Sequence, residues 1–133
     1  MNKILGINKK IVLAVGIGVV VIVAAVVYLV IPMPVSEGYT AVNTVTNQFF
    51  VGRAYRAPLS RFIELREPFL LQTVTAPDGE TVTPQLVDLS VESYWLPQSV
   101  FINIDNIVSQ GAVGDDSLIA TKIKEYKAGG AAK

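Results

Sequence analysis

Ile11 to Ile31 is an unbroken run of 21 uncharged residues, fifteen of them Ile, Leu or Val. A helix of that length is about 31 Å long and matches the hydrocarbon core of a bilayer. Each central Ile, Leu or Val favours insertion by about 0.3 to 0.6 kcal/mol, so the fifteen outweigh Gly16 and Gly18 by several kcal/mol. The chain is therefore expected to be held in a membrane by one helix near its N-terminus. A cleaved signal peptide fits less well, because its apolar stretch is about 7 to 15 residues and is followed by a small-residue cleavage site. No such site precedes Glu37. A helix packed on the core of a small soluble domain keeps a polar outer face, which this run of 21 residues lacks.

Charge orients the span. Lys3, Lys9 and Lys10 precede it, whereas from Pro32 to Val51 the only charge is Glu37. The positive-inside rule places residues 1–10, a basic arm, on the inner side and the C-terminal part across the membrane. Tyr28 falls near the far end of the span, at the level of the headgroups. A type IV pilin leader would need the apolar run directly after Gly6 and a glutamate at the fifth position. Lys9 and Lys10 intervene, and the fifth position is Ile11. Within the span Ala14 and Gly18 form a small-xxx-small pair with Gly16 beside them, a candidate helix-packing face.

About a hundred residues follow the span, enough for one small domain with a single core. The chain has neither cysteine nor histidine. Disulfides, thiol nucleophiles, Fe–S clusters and c-type haem attachment are thereby excluded, as are the usual zinc and copper ligands and the commonest general base. No catalytic signature, cofactor motif or metal site is expected.

The division expected along the chain is an arm (1–10), a transmembrane helix (11–31), a connector (32–38), a mainly β domain (39–128) and a flexible tail (129–133). Pro32 and Pro34 end the helix and stiffen the connector. Phe69 to Ala76 and Thr81 to Leu89, rich in Val, Leu and Thr, flank Pro77-Asp78-Gly79-Glu80 and predict a β-hairpin. Val100 to Val108 alternates as one half-buried strand, with Ile102, Ile104 and Val108 on one side and Asn103 and Asp105 on the other. Arg61 to Glu67 is a further strand candidate, and Thr40 to Val51 fits helix by spacing and strand by its β-branched residues. Gly111 to Gly114 reads as a loop. Asp115 or Asp116 is expected to cap a short C-terminal helix from about Ser117 to Lys127.

The candidate binding residues outside the span are few. Asp115-Asp116-Ser117 reads as a helix cap rather than a cation site, and Asp78 with Glu80 lacks the ring of oxygens that calcium needs. A Ser–Lys dyad has no downstream lysine before Lys122. Trp95, within Tyr94-Trp95-Leu96-Pro97, is expected in the core, the alternative being a partner's hot spot or an interfacial anchor. Arg53, Arg56, Arg61 and Arg66 fall within fourteen residues that hold one acid, Glu64, whereas Glu67 to Asp116 carries eight acids and no base. Such segregation suits contacts with a complementary neighbour or with lipid phosphates.

In layout (Lys3, Lys9 and Lys10, the Ile11–Ile31 span, then one domain without Cys or His) the chain resembles the small single-span proteins of tailless icosahedral phages with a membrane beneath the capsid, the marine corticoviruses above all. The resemblance implies a structural protein under the capsid shell that links it to the bilayer, with the three lysines touching packaged DNA weakly through its phosphates. The expectation is thus a non-enzymatic, membrane-anchored protein that ties or spaces a bilayer and an overlying protein layer. The alternative is an accessory subunit of a respiratory or monooxygenase membrane complex.

Overall fold

The structure, a computed structural model, describes residues 9–75, 79 and 82–130. Lys3, the turn residues Pro77, Asp78 and Glu80, and residues 131–133 lie outside that set. Helix α1 (Lys9–Val30) leads, followed by strands β1 (Met33–Pro34), β2 (Thr40–Thr44), β3 (Phe49–Arg56), β4 (Phe62–Thr75) and β5 (Val82–Asp88). A one-turn helix α2 (Leu89–Glu92), strands β6 (Ser99–Asn103) and β7 (Ile107–Ala112), and helix α3 (Leu118–Gly130) complete the chain. The expected architecture is the observed one: an N-terminal apolar helix, a mainly β domain and a short C-terminal helix. α1 is long and apolar enough to cross a membrane and has no buried residue across Ile11–Val30. The chain has the make-up of a single-pass membrane protein.

The seven strands form one antiparallel sheet. β4 is its spine, with β3 along one side and, in succession along the other, β6 beside Phe62–Arg66 and β5 beside Phe69–Thr75. The path β6–β4–β3–β2–β7 puts β6 and β7 at opposite ends, yet only the 3-10 turn Ile104–Asn106 separates them in sequence. Three residues span at most about 10 Å, so the sheet must curl until its two ends meet. The turn stitches the seam: Ile104 N–H donates to the Arg61 carbonyl (2.9 Å), and Val45 N–H donates to the Asn106 carbonyl (2.9 Å). Inside the curl pack Val42, Ala54, Ile63, Leu65 and Ile102, joined by Phe50, Val100, Ile104 and Ile107.

A second core lies on the outer face, and a β-bulge creates it. Val51 pairs with Phe69 and Arg53 with Arg66, so Gly52 alone opposes both Glu67 and Pro68. Strand side chains alternate faces with period two, so Leu65 and Phe69 would otherwise point the same way. The extra residue, with Glu67 at φ +51°, reverses the parity beyond it. Leu65 faces the curl, while Phe69 faces out and packs with Val51 and with Ile123 of α3. Gly52 is required at the crossing, because a Cβ there would stand 2.9 Å from the Arg66 carbonyl oxygen and 3.1 Å from Leu65 Cβ.

Several expectations need correction. Val100–Val108 is not one strand: Asn103 Oδ1 accepts the Asp105 N–H (3.0 Å) and turns the chain, so Ile102 is buried while Val108 is exposed on a different strand. Of the two alternatives open for Thr40–Val51 the strand holds, as a hairpin turned at Asn47 in the left-handed region (φ +57°). Within the stiff connector 32–38, Met33 and Pro34 also pair with Arg56 and Tyr55, and Val35 N–H reaches the Ala54 carbonyl (2.8 Å). Strand β7 takes in Gly111 and Ala112, which read as loop. Ser117, not Asp115 or Asp116, caps α3, its Oγ accepting the Ala120 N–H (3.1 Å). α3 also runs through Gly129 and Gly130, expected as tail. The hairpin pairs as expected, from Phe69 with Asp88 to Thr75 with Val82, and Gly79 supplies a φ of +75°.

Replacing Gly52 by alanine should lower stability by about 1 to 3 kcal/mol, the cost of overpacking against backbone. Ile123→Ala should cost about 2 to 4 kcal/mol by opening a cavity under α3. Denaturant unfolding of the detergent-solubilised chain measures both, and a Gly52→Ala change within about 0.5 kcal/mol of wild type would refute the tight crossing.

Candidate functional site

The bulge also aims a charge. Glu67 leaves the sheet on the outer face, where Tyr39 Oη donates to its Oε2 (2.6 Å) and Lys127 Nζ, from the last turn of α3, donates to the same oxygen. Arg53 Nε stands 3.7 Å from Oε1. The Tyr39 ring carries the Arg53 guanidinium 5.8 Å and the Lys127 ammonium 5.4 Å from its centroid. Beneath it the rings of Tyr39, Phe69 and Tyr126 meet edge to face at 6.3 and 5.8 Å. The arrangement clamps the end of α3 onto the sheet. The Lys127 and Tyr39 hydrogen bonds hold the Glu67 carboxyl below the usual glutamate range against the opposing effect of burial. Lys127 is pushed up, chiefly by its hydrogen bond to Glu67. Tyr39 is pushed up by burial and then by the Glu67 hydrogen bond.

The four arginines do not form one basic patch. Arg66 binds Glu64 through two nitrogens (3.0 and 3.1 Å) and stacks over Tyr55 at 4.1 Å. Arg61 pairs with Asp105 across the seam (2.8 Å), and Arg53 belongs to the clamp. Among the described residues only Arg56 of the four lacks an acidic partner, its Nε donating to the Ser60 carbonyl (3.1 Å). Arg53 and Arg61 thus each meet an acid of the downstream segment, while Arg66 meets Glu64 on its own strand.

Trp95 is not in the core. It is 74% exposed, between a fully exposed Tyr94 and an exposed Leu96. Leu96 has φ +45°, a left-handed conformation that a γ-branched side chain rarely takes. Ser93 holds the turn, its carbonyl and its Oγ both accepting the Leu96 N–H (3.3 and 3.1 Å). The turn displays two aromatic rings and a leucine to the outside at a cost in backbone strain.

In α1, Gly16 and Gly18 touch no other element among the described residues. At 3.6 residues per turn, Ala14 and Gly18 share a face, while Gly16 lies about 200° from Ala14 and so opens on the other side. The three do not make a single packing stripe. A groove of about 490 Å³ between α3 and the hairpin is lined by Val74, Pro84, Leu86 and Tyr126 and edged by the Lys122–Glu125 pair. No protein-family model and no curated protein matches the chain.

Glu67, Tyr39 and Lys127 were missed in the sequence because they are far apart along it; the available signal was Pro68 inside a strand pattern, which marks a bulge. A depressed carboxyl stabilises the fold above the ordinary glutamate pKa of about 4.3, and the gain is lost as pH falls through the lower folded-state value. The raised Tyr39 and Lys127 contribute below about pH 10 and lose that contribution as pH rises through their folded-state values. The protection of α3 amides, taken relative to their intrinsic exchange rate at each pH, should therefore be greatest near neutral pH and fall on both sides. Glu67→Gln should flatten the acid side and cost about 1 kcal/mol or less, given solvent screening. An unchanged acid limb would rule out the clamp.

Proposed function

We propose that the protein is a membrane-anchored structural element that links or spaces a bilayer and an overlying protein layer, in its most specific form the internal membrane and capsid of a virion. The reading rests on one observation: the exposed Tyr94-Trp95-Leu96 turn stands on a domain joined to its span without a free linker. β1 begins three residues after α1 and is paired into the sheet, so the domain is held close to its anchor. β4 starts at Phe62, beside that junction, and its fourteen residues cover roughly 45 Å at the rise of an extended strand. The turn enters β6 at Ser99, the partner of Arg66, four residues further along β4 than Phe62. Aromatic residues displayed on a strained turn are the usual anchors of protein interfaces. β7 adds an edge, Ile107–Ala112, that carries no charge or proline to block strand pairing with a neighbour.

The second reading is a non-catalytic accessory subunit whose span packs in a respiratory or monooxygenase complex through its small residues Ala14, Gly16 and Gly18. On either reading the span runs with residues 1–10 inside, and Lys3, Lys9 and Lys10 touch nucleic-acid phosphates only if the enclosed space holds DNA.

Mild-detergent extraction of native membranes, followed by sizing and mass spectrometry, separates the readings. Many copies travelling with a shell protein in a lipid-bearing particle are expected, and Trp95→Ala should release that protein while leaving the chain in the membrane. A fixed low stoichiometry with cofactor-bearing subunits would replace the first reading by the second.

A further inference from the structure

We propose that the anchor-proximal end of the β domain lies in the headgroup layer of the bilayer, with Leu59, Phe62 and Phe101 at its interface and Arg56 on lipid phosphates. This rests on reading Ile11–Val30 as a span. Connectivity supplies the first argument. Met33 is three residues beyond Val30, and Arg56 is its cross-strand partner. Arg56 is therefore held within roughly 15 Å of the helix end, three extended residues plus one strand spacing. The turn after Arg56 carries Leu59, and β4 then begins at Phe62, which pairs with Asn103 at the end of β6. All these residues belong to one end of the sheet.

The second argument is continuity of surface. Leu29, Val30 and Pro32 line one groove of about 350 Å³ together with Leu59, Phe62 and Phe101. The lipid-facing surface of the helix thus runs on into the domain. Ile63 and Ile102 point into the curled sheet, so alternation turns Phe62 and Phe101 outward. α3 covers that outer face around Val51, Phe69 and Leu86 and leaves Phe62 and Phe101 exposed. Leu59 and Phe101 are 75% and 65% exposed. Aromatic and aliphatic side chains beside an arginine that has no acidic partner among the described residues match the headgroup zone, which is apolar beneath and rich in phosphate above.

The absence of cysteine makes the test direct, since a single introduced cysteine labels uniquely. Full-length Leu59→Cys, Phe101→Cys, Val20→Cys and Gln110→Cys chains carrying an environment-sensitive fluorophore are reconstituted in vesicles of phosphatidylcholine and phosphatidylglycerol. Some vesicles contain lipid nitroxide-labelled at the headgroup, others lipid labelled at mid-chain. Gln110 is the reference: it pairs with Val42 and so lies level with Phe50, about 20 Å along β3 from Arg56. Headgroup nitroxide is expected to quench positions 59 and 101 severalfold more than position 110, and mid-chain nitroxide to quench position 20. Quenching at 20 with 59 and 101 no different from 110 overturns the proposal while leaving the anchor intact. No quenching at 20 overturns the span and the proposal together. Protection of 59 and 101 from aqueous iodide without lipid quenching also overturns it, and assigns the surface to a protein neighbour.

Discussion

The single extra residue opposite Gly52 decides how many faces this small sheet can use. A regular β4 would send Ile63, Leu65 and Phe69 to the same side, giving one overfilled core and a bare outer face. With the bulge at Glu67 and Pro68, the first half of β4 fills the curl and the second half founds the core under α3. The same bulge brings the Glu67 carboxylate to the Lys127 ammonium and the Tyr39 hydroxyl, so the helix is held by charge-assisted hydrogen bonds as well as by burial. Gly52 permits the approach because it alone has no Cβ to strike the Arg66 carbonyl.

Joining an anchor to a domain this way has mechanical consequences. A Gly/Ser tether would let the domain wander, whereas β1 uses the third and fourth residues after the helix as ladder partners of β3. The fold is thus divided by height above the junction. Leu59, Phe62 and Phe101 stand at the near end, and the Tyr94-Trp95-Leu96 turn enters further along β4. Exposed aromatic residues thus stand at two levels, Phe62 and Phe101 near the junction and Trp95 beyond it.

Much of the architecture was legible because it rests on local signals. The span follows from length and apolarity, and the β4–β5 hairpin from turn residues between β-rich runs. The C-terminal helix follows from a polar cap before a helical run. The misread strand and the misread arginine cluster share one cause, which is that pairing between distant segments overrode a local pattern. Val100–Val108 alternates well enough for one strand, yet closing the curl requires a break at Ile104–Asn106. The arginine cluster looked like a patch because Asp105 and Glu67 are distant or follow it in sequence, while cross-strand geometry sets them beside Arg61 and Arg53. Trp95 was assigned inward on its residue type alone, but no strand register carries it there.

By itself the sequence determined that this chain has an apolar helix fit to cross a bilayer, a mainly β domain after it and a terminal helix, and that it lacks thiol and imidazole chemistry. Those properties depend on composition and on contacts between near neighbours, which a linear reading contains. Only the tertiary structure decided which faces are buried, where the arginines find their acids, that Trp95 is displayed, and that the domain is paired directly onto the chain leaving its anchor. Each of these depends on strand register, and register is settled by the sum of many distant contacts rather than by any short stretch of residues.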